Sequence, residues 1–508
     1  MDTSPVTFDW YVNTGIPDTW GKTMVSQYVT KKTGVSIKFS SPSGSATEKL
    51  NTMIASGKLP DFITLSWAEP AVKQMIESGM VLPLNQLGKE YDPYFTKVTD
   101  PAKVAWYTQK DGNIYEYPNY SSSPKDLEKF SKDLFSNQTF IVRKDIYEAI
   151  GKPDMRTPEG FLNALKTAKE KFGTVNGQPL IPLGFMEFTD VGNKSLYDAN
   201  KLDSELQNFL GIPMAKDGKI NDRSVDPEFV RWLKTLRTAN EMGLIAKDVF
   251  VDKNNQILEK AAQGRYFAMM YFANSMVNQN KLLYDRDPNS YYIAVDPPAN
   301  AKLTPPTLNG GGISGWTVTL ISKDVKDKKR AIQFLDYLIS EEGQRDLYFG
   351  EKGVTYDTIN GVDQIKPEIL EEKKKDPAAY GVKYGLESTY YMMIDFNIVR
   401  QWKPVADPNA EPFRGQADNW SKGKVADFSV FENINPSGQS EEGVIALKTA
   451  QMWGSALPKL LLSKTEKDFD QAFNDFVVQR NAAGYQKVVA YWQKQYEENA
   501  AKLKDFLK

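Results

Sequence analysis

The chain has 508 residues, of which 41% are hydrophobic and 25% are charged, a composition typical of a globular protein with two or three domains. Its net charge of −2 implies no large basic surface, so nucleic acid is not an expected partner. Cysteine and histidine are both absent, which excludes disulfides, Cys/His zinc sites, thiolate nucleophiles and Ser-His-Asp triads.

The first part of the chain alternates between strand and helix patterns. Strands are predicted at residues 6–12, 35–40 and 61–65, and helices at residues 20–33, 46–56 and 69–78. A glycine directly follows each of the three helices, which favours helix ends at these places. This order predicts an α/β domain with a mostly parallel sheet.

The later patterns are more helical. A strand is predicted at 140–143, a helix at 144–150, and a further helix that starts with Thr157 as N-cap and Pro158 at its first position. The remaining predictions are a mainly helical segment at about 225–280, a strand at 316–322, a helix at 326–338, and helices from about 440 to the end. The apolar runs are far too short to span a membrane, and residues 1–5 contain no apolar signal-peptide segment.

A glycine-rich stretch, NGGGISGW at residues 309–316, satisfies the G-x-G-x-x-G pattern of nucleotide-binding loops. Such a loop needs a strand before the glycines and a helix after them, but here a strand follows. The stretch therefore predicts a flexible loop or hinge that leads into a strand, since glycine tolerates backbone angles that other residues resist.

Several segments, in the right order, resemble the bacterial extracellular solute-binding proteins of family 1, the substrate receptors of ABC-type sugar importers. The clearest is IASGKLPDFI at 54–63, which is similar to the family's ASGxxPD signature. Similar family segments lie at 79–84, 111–118, 140–145, 315–318, 331–338, 340–344 and 349–356. The last two are similar to the larger Gram-positive lipoprotein branch, which includes oligosaccharide and alginate-oligosaccharide receptors.

The resemblance implies an α/β, two-lobe, periplasmic-binding-protein-like fold with a hinge and a ligand cleft between the lobes. We expect lobe 1 to comprise residues 1–140 and about 316–355, and lobe 2 to comprise residues 141–315 and about 356–508. Many relatives carry a calcium loop where this chain has residues 171–179, but the acidic ligands are missing here. We therefore expect no metal and no cofactor.

The resemblance also implies a function, which is binding an oligosaccharide and delivering it to ABC-transporter permease subunits. It predicts a monomeric, extracellular, cell-surface lipoprotein without enzyme activity, whose signal segment and anchor cysteine are absent from this chain. Two alternatives stay open. One is a carbohydrate-active enzyme with a carboxylate pair, and the other is a peptide or polyamine receptor on the same scaffold.

Ligand-binding residues are predicted from strand ends and aromatic residues. Trp and Tyr rings suit the stacking of sugar rings, polar side chains suit the hydroxyls, and strand ends face the crevice in open α/β sheets. Trp67 and Tyr271 are the favoured aromatic residues, and the position of Tyr271 resembles one at which alginate-oligosaccharide receptors carry an aromatic residue. The full predicted set is Trp10, Tyr11, Trp67, Asn119, Tyr120, Arg143, Tyr271, Asn274, Trp316, Asp395 and Trp402.

Overall fold

A computed structural model describes residues 2–14, 19–42, 46–188, 202–386, 393–402 and 412–506, which form two compact units. Unit 1 comprises Met1–Phe130, Gly311–Asn409 and Lys502–Lys508. Unit 2 comprises Ser131–Gly310 and Ala410–Ala501. One of the crossings between units falls inside the glycine-rich stretch, between Gly310 and Gly311, as expected for a loop of this composition.

The strands of the described residues are, in chain order, β1 Val6–Val12, β2 Val35–Ser40, β3 Phe62–Ser66, β4 Glu116–Pro118, β5 Gln138–Arg143, β6 Thr174–Val175, β7 Gln178–Pro179, β8 Ile181–Gly184, β9 Ala215–Lys216, β10 Lys219–Ile220, β11 Tyr266–Phe272, β12 Tyr292–Ala294, β13 Leu308–Asn309, β14 Thr317–Ile321, β15 Tyr356–Ile359, β16 Val362–Ile365 and β17 Val425–Ala426.

The α-helices of the described residues are α1 Met24–Thr33, α2 Ala46–Ser56, α3 Pro70–Glu77, α4 Leu84–Tyr91, α5 Phe95–Val98, α6 Pro101–Tyr107, α7 Pro124–Lys129, α8 Lys144–Ala149, α9 Pro158–Lys171, α10 Leu202–Phe209, α11 Pro227–Glu241, α12 Asn254–Ala262, α13 Val277–Arg286, α14 Lys328–Ile339, α15 Glu341–Phe349, α16 Pro367–Lys375, α17 Pro377–Tyr384, α18 Phe396–Gln401, α19 Phe413–Ser421, α20 Glu441–Leu461, α21 Glu466–Ala482 and α22 Tyr485–Leu503. Within these ranges, no helix is both long and apolar enough to cross a lipid bilayer.

The sheet of unit 1 has the strand order β2-β1-β3-β14-β4. β1 runs parallel to β2 and β3, whereas β14 runs antiparallel to β3 and β4. The carboxyl ends of β1 to β4 and the amino end of β14 therefore share one edge of the sheet. The parallel arrangement predicted for the first three strands is confirmed, and β14 reverses because the chain re-enters the sheet from that same edge.

The sheet of unit 2 has the order β12-β5-β11-β8, with β11 parallel to β8 and antiparallel to β5. The prediction that residues 225–280 are mainly helical is wrong for β11, the central strand YFAMMYF. Six of its seven residues are buried, so both faces of the strand are covered and the sequence shows no alternation of polar and apolar residues. An unbroken apolar run of this length fits a strand or a buried helix equally well.

The local signals fixed several element boundaries. Thr157 caps α9 as predicted, since its hydroxyl accepts a hydrogen bond from the Gly160 amide at 3.2 Å. The helix predicted from residue 20 starts four residues later at Met24, because Thr23 has extended backbone angles and caps it. The cap ends the extended chain and satisfies one of the free amides of the first turn.

Residues 356–409 belong to unit 1, whereas the sequence-based boundaries assigned them to the second lobe. Specific contacts hold this segment to the preceding helix α15. Arg345 forms an ion pair with Asp363 of β16, and the Gln344 side chain donates a hydrogen bond to the Met393 carbonyl at 2.8 Å. These contacts link residues that no local sequence pattern relates, which is why the boundary was placed too early.

Glu116 of β4 offers a test of the unit 1 interior. It is buried, its Oε2 has no hydrogen-bond partner, and burial raises the pKa of its carboxyl to about 8. The unfolded chain releases this proton near pH 4.5, so the free energy of unfolding falls as the pH rises from about 4.5 to about 8. The slope from this group is at most about 1.4 kcal/mol per pH unit.

We expect Glu116→Gln to remove this slope, because the amide keeps the shape of the protonated acid and does not ionise. Urea unfolding at pH 5 and pH 8 should therefore show that the free energy of unfolding of the variant increases relative to that of the unmodified protein as the pH rises. Glu128→Gln is the matched control, since Glu128 is exposed. A Glu116→Gln difference that is the same at both pH values would contradict a buried carboxyl with a raised pKa.

Candidate functional site

Four aromatic side chains lie together in unit 1, and we call them the aromatic patch: Trp67, Tyr120, Trp316 and Phe396. The ring centroids of Tyr120 and Trp316 are 5.8 Å apart, and those of Tyr120 and Phe396 are 5.0 Å apart, both edge to face. The Trp67 indole donates a hydrogen bond to the Gly315 carbonyl at 3.0 Å, next to Trp316. Trp316 is 36% exposed and the other three are partly exposed, so the patch offers ring surface to solvent.

The patch forms because the sheet brings distant segments to one edge. Trp67 directly follows β3, Tyr120 lies two residues after β4, and Trp316 directly precedes β14. The register pairs Thr317 with Ser66 across the β3–β14 ladder, which places Trp316 beside Trp67. Ligand crevices in open α/β sheets lie at the carboxyl ends of the parallel strands, and the patch occupies this position.

Asn119 is buried next to the aromatic patch and holds the backbone at the start of β14. It is 1% exposed, and its side-chain oxygen accepts a hydrogen bond from the Thr317 amide at 2.9 Å. Its own backbone carbonyl accepts from the Trp316 amide at 3.1 Å. The sequence predicts that Asn119 binds ligand directly. In the structure, its side-chain oxygen is instead bonded to the backbone at the start of β14.

Gly315 has a left-handed backbone with φ of +69°, and its Cα approaches the same support closely. A Cβ at this position would lie 2.1 Å from the Asn119 carbonyl oxygen. Only glycine fits both the angle and the contact. This accounts for the last glycine of the G-x-G-x-x-G pattern without a nucleotide.

A buried ion pair fixes the fourth ring. Lys103 of α6 is 2% exposed, and its ammonium group lies 2.7 Å from the Asp395 carboxylate. Burial by itself would lower the pKa of Lys103, but the charge of Asp395 raises the pKa above its ordinary value. Asp395 also caps α18 by accepting from the Asn397 amide at 2.9 Å, so the pair determines where Phe396 begins the helix.

Trp402, at the other end of α18, packs on a different group. Its ring lies 5.5 Å from Phe349, and the Arg345 guanidinium stacks over it at 4.9 Å. Its indole is within 3.5 Å of the Glu341 carboxylate. Trp402 is partly exposed, but its neighbours are rings and charges of α15 instead of the aromatic patch.

Trp10 and Tyr11 lie in the core of unit 1, where the structure leaves no ring surface for a ligand. Trp10 is 1% exposed, stacks on Phe62 at 4.7 Å, and donates to the Thr64 hydroxyl at 2.8 Å. Tyr11 is fully buried and its hydroxyl donates to Asn13 at 2.7 Å. Burial raises the pKa of Tyr11 to about 12. Both residues were predicted from their place at the end of β1, but their side chains point into the packed interior.

The unit 2 residues are divided between two edges of its sheet. Tyr271 lies near the carboxyl end of β11, and its hydroxyl donates a hydrogen bond to the Asn254 side chain. Asn274 lies two residues after the end of β11 and is exposed. Tyr271 is itself 1% exposed, and burial raises its pKa to about 12. Ligand contact by these two residues stays a prediction.

Arg143 lies at the opposite edge of the same sheet and is 5% exposed. It forms an ion pair with Asp145 at 2.5 Å and donates to the Gly264 carbonyl. These contacts give Arg143 a structural role inside unit 2, away from Tyr271 and Asn274. The prediction that it contacts ligand therefore has no support in its position.

Phe396 is the patch member that the sequence patterns did not predict. It stands beside Asp395 in a run of mixed aromatic and charged residues, which was the available signal. Only the long-range contact with Tyr120 distinguishes it from the other aromatic residues in that run.

No group of three or more Asp or Glu side chains in the described residues is placed to hold a metal ion. The segment compared with a calcium loop forms the β6–β7 hairpin instead. Its turn residues Asn176 and Gly177 both have positive φ, which is typical of a tight two-residue hairpin turn.

Comparison with known proteins agrees with this architecture. The sequence model of a family described as bacterial extracellular solute-binding protein matches residues 23–355, well over half of the chain. The fructooligosaccharide ABC transporter substrate-binding protein FusA of Streptococcus pneumoniae serotype 4 is 25% identical over 270 residues. That match covers 52% of this chain and 48% of FusA, so the chain matches about half of this curated relative.

Two solved structures are similar over nearly the whole of both chains. The alginate-binding protein AlgQ2, solved without calcium ion, gives a TM-score of 0.65 at 20% identity and covers 97% of this chain and 98% of its own. An HMO-binding, ABC-transporter-associated solute-binding protein from Bifidobacterium longum infantis gives 0.70 at 15% identity, covering 98% and 99%. These likenesses confirm the predicted α/β fold class.

The ion pair between Lys103 and Asp395 can be tested by removing one charge. Asp395→Asn keeps an oxygen for the α18 cap but leaves a buried, unpaired ammonium group. We expect a loss of about 3 kcal/mol in the free energy of unfolding, the usual cost of breaking a buried pair. Urea unfolding at neutral pH measures this loss.

Glu77→Gln, which removes the exposed pair with Lys73, is the control and should change stability by less than about 0.5 kcal/mol. The double variant Lys103→Met with Asp395→Asn should recover part of the loss, because no unpaired charge remains. Equal effects of Asp395→Asn and Glu77→Gln would show that the pair does not hold this part of unit 1.

Proposed function

The chain belongs to the bacterial extracellular solute-binding proteins, and from this premise we propose that it is the oligosaccharide receptor of an ABC importer. The aromatic patch is the observation that carries the proposal. Partly exposed Trp and Tyr rings, fixed at the carboxyl-end edge of a sheet, match the alternating apolar faces and hydroxyl edges of sugar rings.

Polar groups at the same edge complete the chemistry. Asn13 directly follows β1, and Ser66 ends β3; both are partly exposed. Their amide and hydroxyl groups can donate to and accept from sugar hydroxyls beside the rings. The name of FusA specifies fructooligosaccharide, and AlgQ2 is described as alginate-binding. Both descriptions support an oligosaccharide as the ligand class, but they do not select one sugar.

The binding proposal includes delivery to permease subunits of the importer, since receptors of this kind do not carry out the transport step themselves. It also includes a lipid anchor at the outer face of the membrane, as expected from the resemblance to the Gram-positive branch. The family is extracellular, and both finer statements are part of the proposal.

Thermal unfolding in the presence of ligand panels tests the ligand class. Fructo-, xylo-, manno-, galacto- and alginate oligosaccharides form one panel, and short peptides and polyamines form the other. A ligand at about 100 times its dissociation constant adds about 2.7 kcal/mol to stability, which raises the unfolding temperature measurably. A shift only with peptides or polyamines would contradict the proposal.

The patch itself is tested with the best sugar from that panel. Trp316→Ala removes the most exposed ring and should weaken binding about tenfold, or about 1.4 kcal/mol, by isothermal titration. Tyr94→Ala is the matched control, because Tyr94 is 46% exposed in unit 1 and lies outside the patch. Equal sugar affinity of Trp316→Ala and Tyr94→Ala would show that the aromatic patch is not part of the binding site.

A receptor and an enzyme differ in what they do to the sugar. Incubation of the protein with the bound oligosaccharide for a day, followed by chromatography, should return the oligosaccharide unchanged. Shortened products that disappear on removal of the protein would establish hydrolysis by a carboxylate pair instead.

A further inference from the structure

A pocket lined only by residues of unit 2 lies between helices instead of at a sheet edge. Its space, counted together with the part that is open to solvent, amounts to about 630 Å³. We call it the arginine pocket, after two buried arginines in its wall: Arg223, between β10 and α11, and Arg480 of α21. None of the predicted ligand-binding residues lines it.

The wall of the pocket carries hydrogen-bond donors without acceptors. Arg223 is 3% exposed, and its Nη2 donates to the Asn208 side chain at 2.8 Å, but its Nε and Nη1 have no partner. Arg480 and Trp492 are also buried, and the Nε of Arg480 and the indole nitrogen of Trp492 have no partner either. Buried polar groups are almost always satisfied in native proteins, so four unpartnered donor atoms on three side chains that line one pocket indicate a missing acceptor.

The charges around the pocket show where that acceptor would sit. The Arg480 guanidinium pairs with the Asp222 carboxylate at 2.6 Å and donates to the Ser224 hydroxyl at 2.6 Å, so its charge is compensated directly. Arg223 has no carboxylate at ion-pair distance among the described residues, and burial lowers its pKa to about 10 despite the attraction of Asp203 and Asp226. Of the two arginines, Arg223 is therefore the one without a direct ion pair.

The rest of the wall is aromatic. The rings of Trp453 and Phe476 are 4.9 Å apart, and those of Tyr485 and Trp492 are 5.9 Å apart. The Trp453 indole already donates to the Asp203 carboxylate at 3.1 Å, which holds its ring in place. An occupant would therefore lie beside aromatic side chains on one part of the wall and beside Arg223 on another.

We propose that the arginine pocket binds a small carboxylate with an aromatic or apolar ring. The carboxylate accepts hydrogen bonds from Arg223, and the ring packs between the aromatic side chains. A carboxylate supplies several acceptor lone pairs and a negative charge at ion-pair distance, which Arg223 lacks, and arginine is the side chain best suited to it. A neutral sugar would leave Arg223 without an ion pair, so this site differs in chemistry from the aromatic patch and does not rest on the proposed function.

The probe is benzoate, compared with benzamide, which has the same ring and shape but no charge. Trp453 and Trp492 line the pocket, so tryptophan fluorescence reports occupancy, and isothermal titration gives the stoichiometry. We expect one benzoate per chain at millimolar concentration or below, with benzamide at least about tenfold weaker because a charge-assisted bond is lost.

Two variants assign the binding to the pocket. Arg223→Met removes the charge, and Ala446→Phe fills the space from a half-buried position in the wall while Arg223 stays. Both should abolish benzoate binding. Arg237→Met is the matched control, because Arg237 is a buried arginine of α11 in the same unit that does not line the pocket.

The proposal is overturned if benzoate shows no saturable binding, if benzamide binds equally well, or if binding survives Ala446→Phe. The Ala446→Phe result is decisive even if Arg223→Met fails to fold. Trp316→Ala should leave benzoate binding unchanged, so failure at this pocket and failure of oligosaccharide binding at the aromatic patch are separate results.

Discussion

The pairing of β14 between β3 and β4 is the constraint on which unit 1 depends. β4 makes no other strand pairing among the described residues, so without β14 it would not belong to the sheet. The β3–β14 ladder brings Trp316 beside Trp67, and Asn119 bonds to the backbone of Trp316 and Thr317. The antiparallel strand β14 follows the first segment of unit 2 in the sequence. It therefore completes the sheet of unit 1 and also forms the aromatic patch.

The close approach of Gly315 to Asn119 shows how tightly this strand is seated. A backbone with positive φ and no room for a Cβ allows only one residue type at the point where β14 begins. The Trp67 indole is held by its hydrogen bond to the Gly315 carbonyl, and the Trp316 backbone is held by its hydrogen bond to the Asn119 carbonyl, so these rings need not rearrange to present their faces. Rings fixed before binding cost less conformational entropy on contact with a ligand.

The sequence predicted those features that local patterns determine. β1, β2 and α2 have the predicted bounds, because alternation or helical spacing is bounded there by clear stop signals. β11 was missed because both its faces are buried and its apolar run has no period. Trp10 and Trp67 look alike in sequence, each near the end of a strand, and only tertiary packing makes one a core residue and the other a surface ring. Phe396 and the arginine pocket depend on contacts between segments more than two hundred residues apart, which no local pattern records.

The order in which the chain is made has a consequence for unit 1. When residue 130 has been synthesised, β1, β2 and β3 can pair, but β3 is still an edge strand with no partner on one side. Four of its five residues are buried in the complete structure. Its partner, β14, arrives nearly two hundred residues later, after most of unit 2. An unpaired apolar edge is a template for wrong pairing, and contacts this distant in sequence form slowly. The nascent chain therefore passes through a long stage in which one edge of β3 has no strand partner and can pair wrongly.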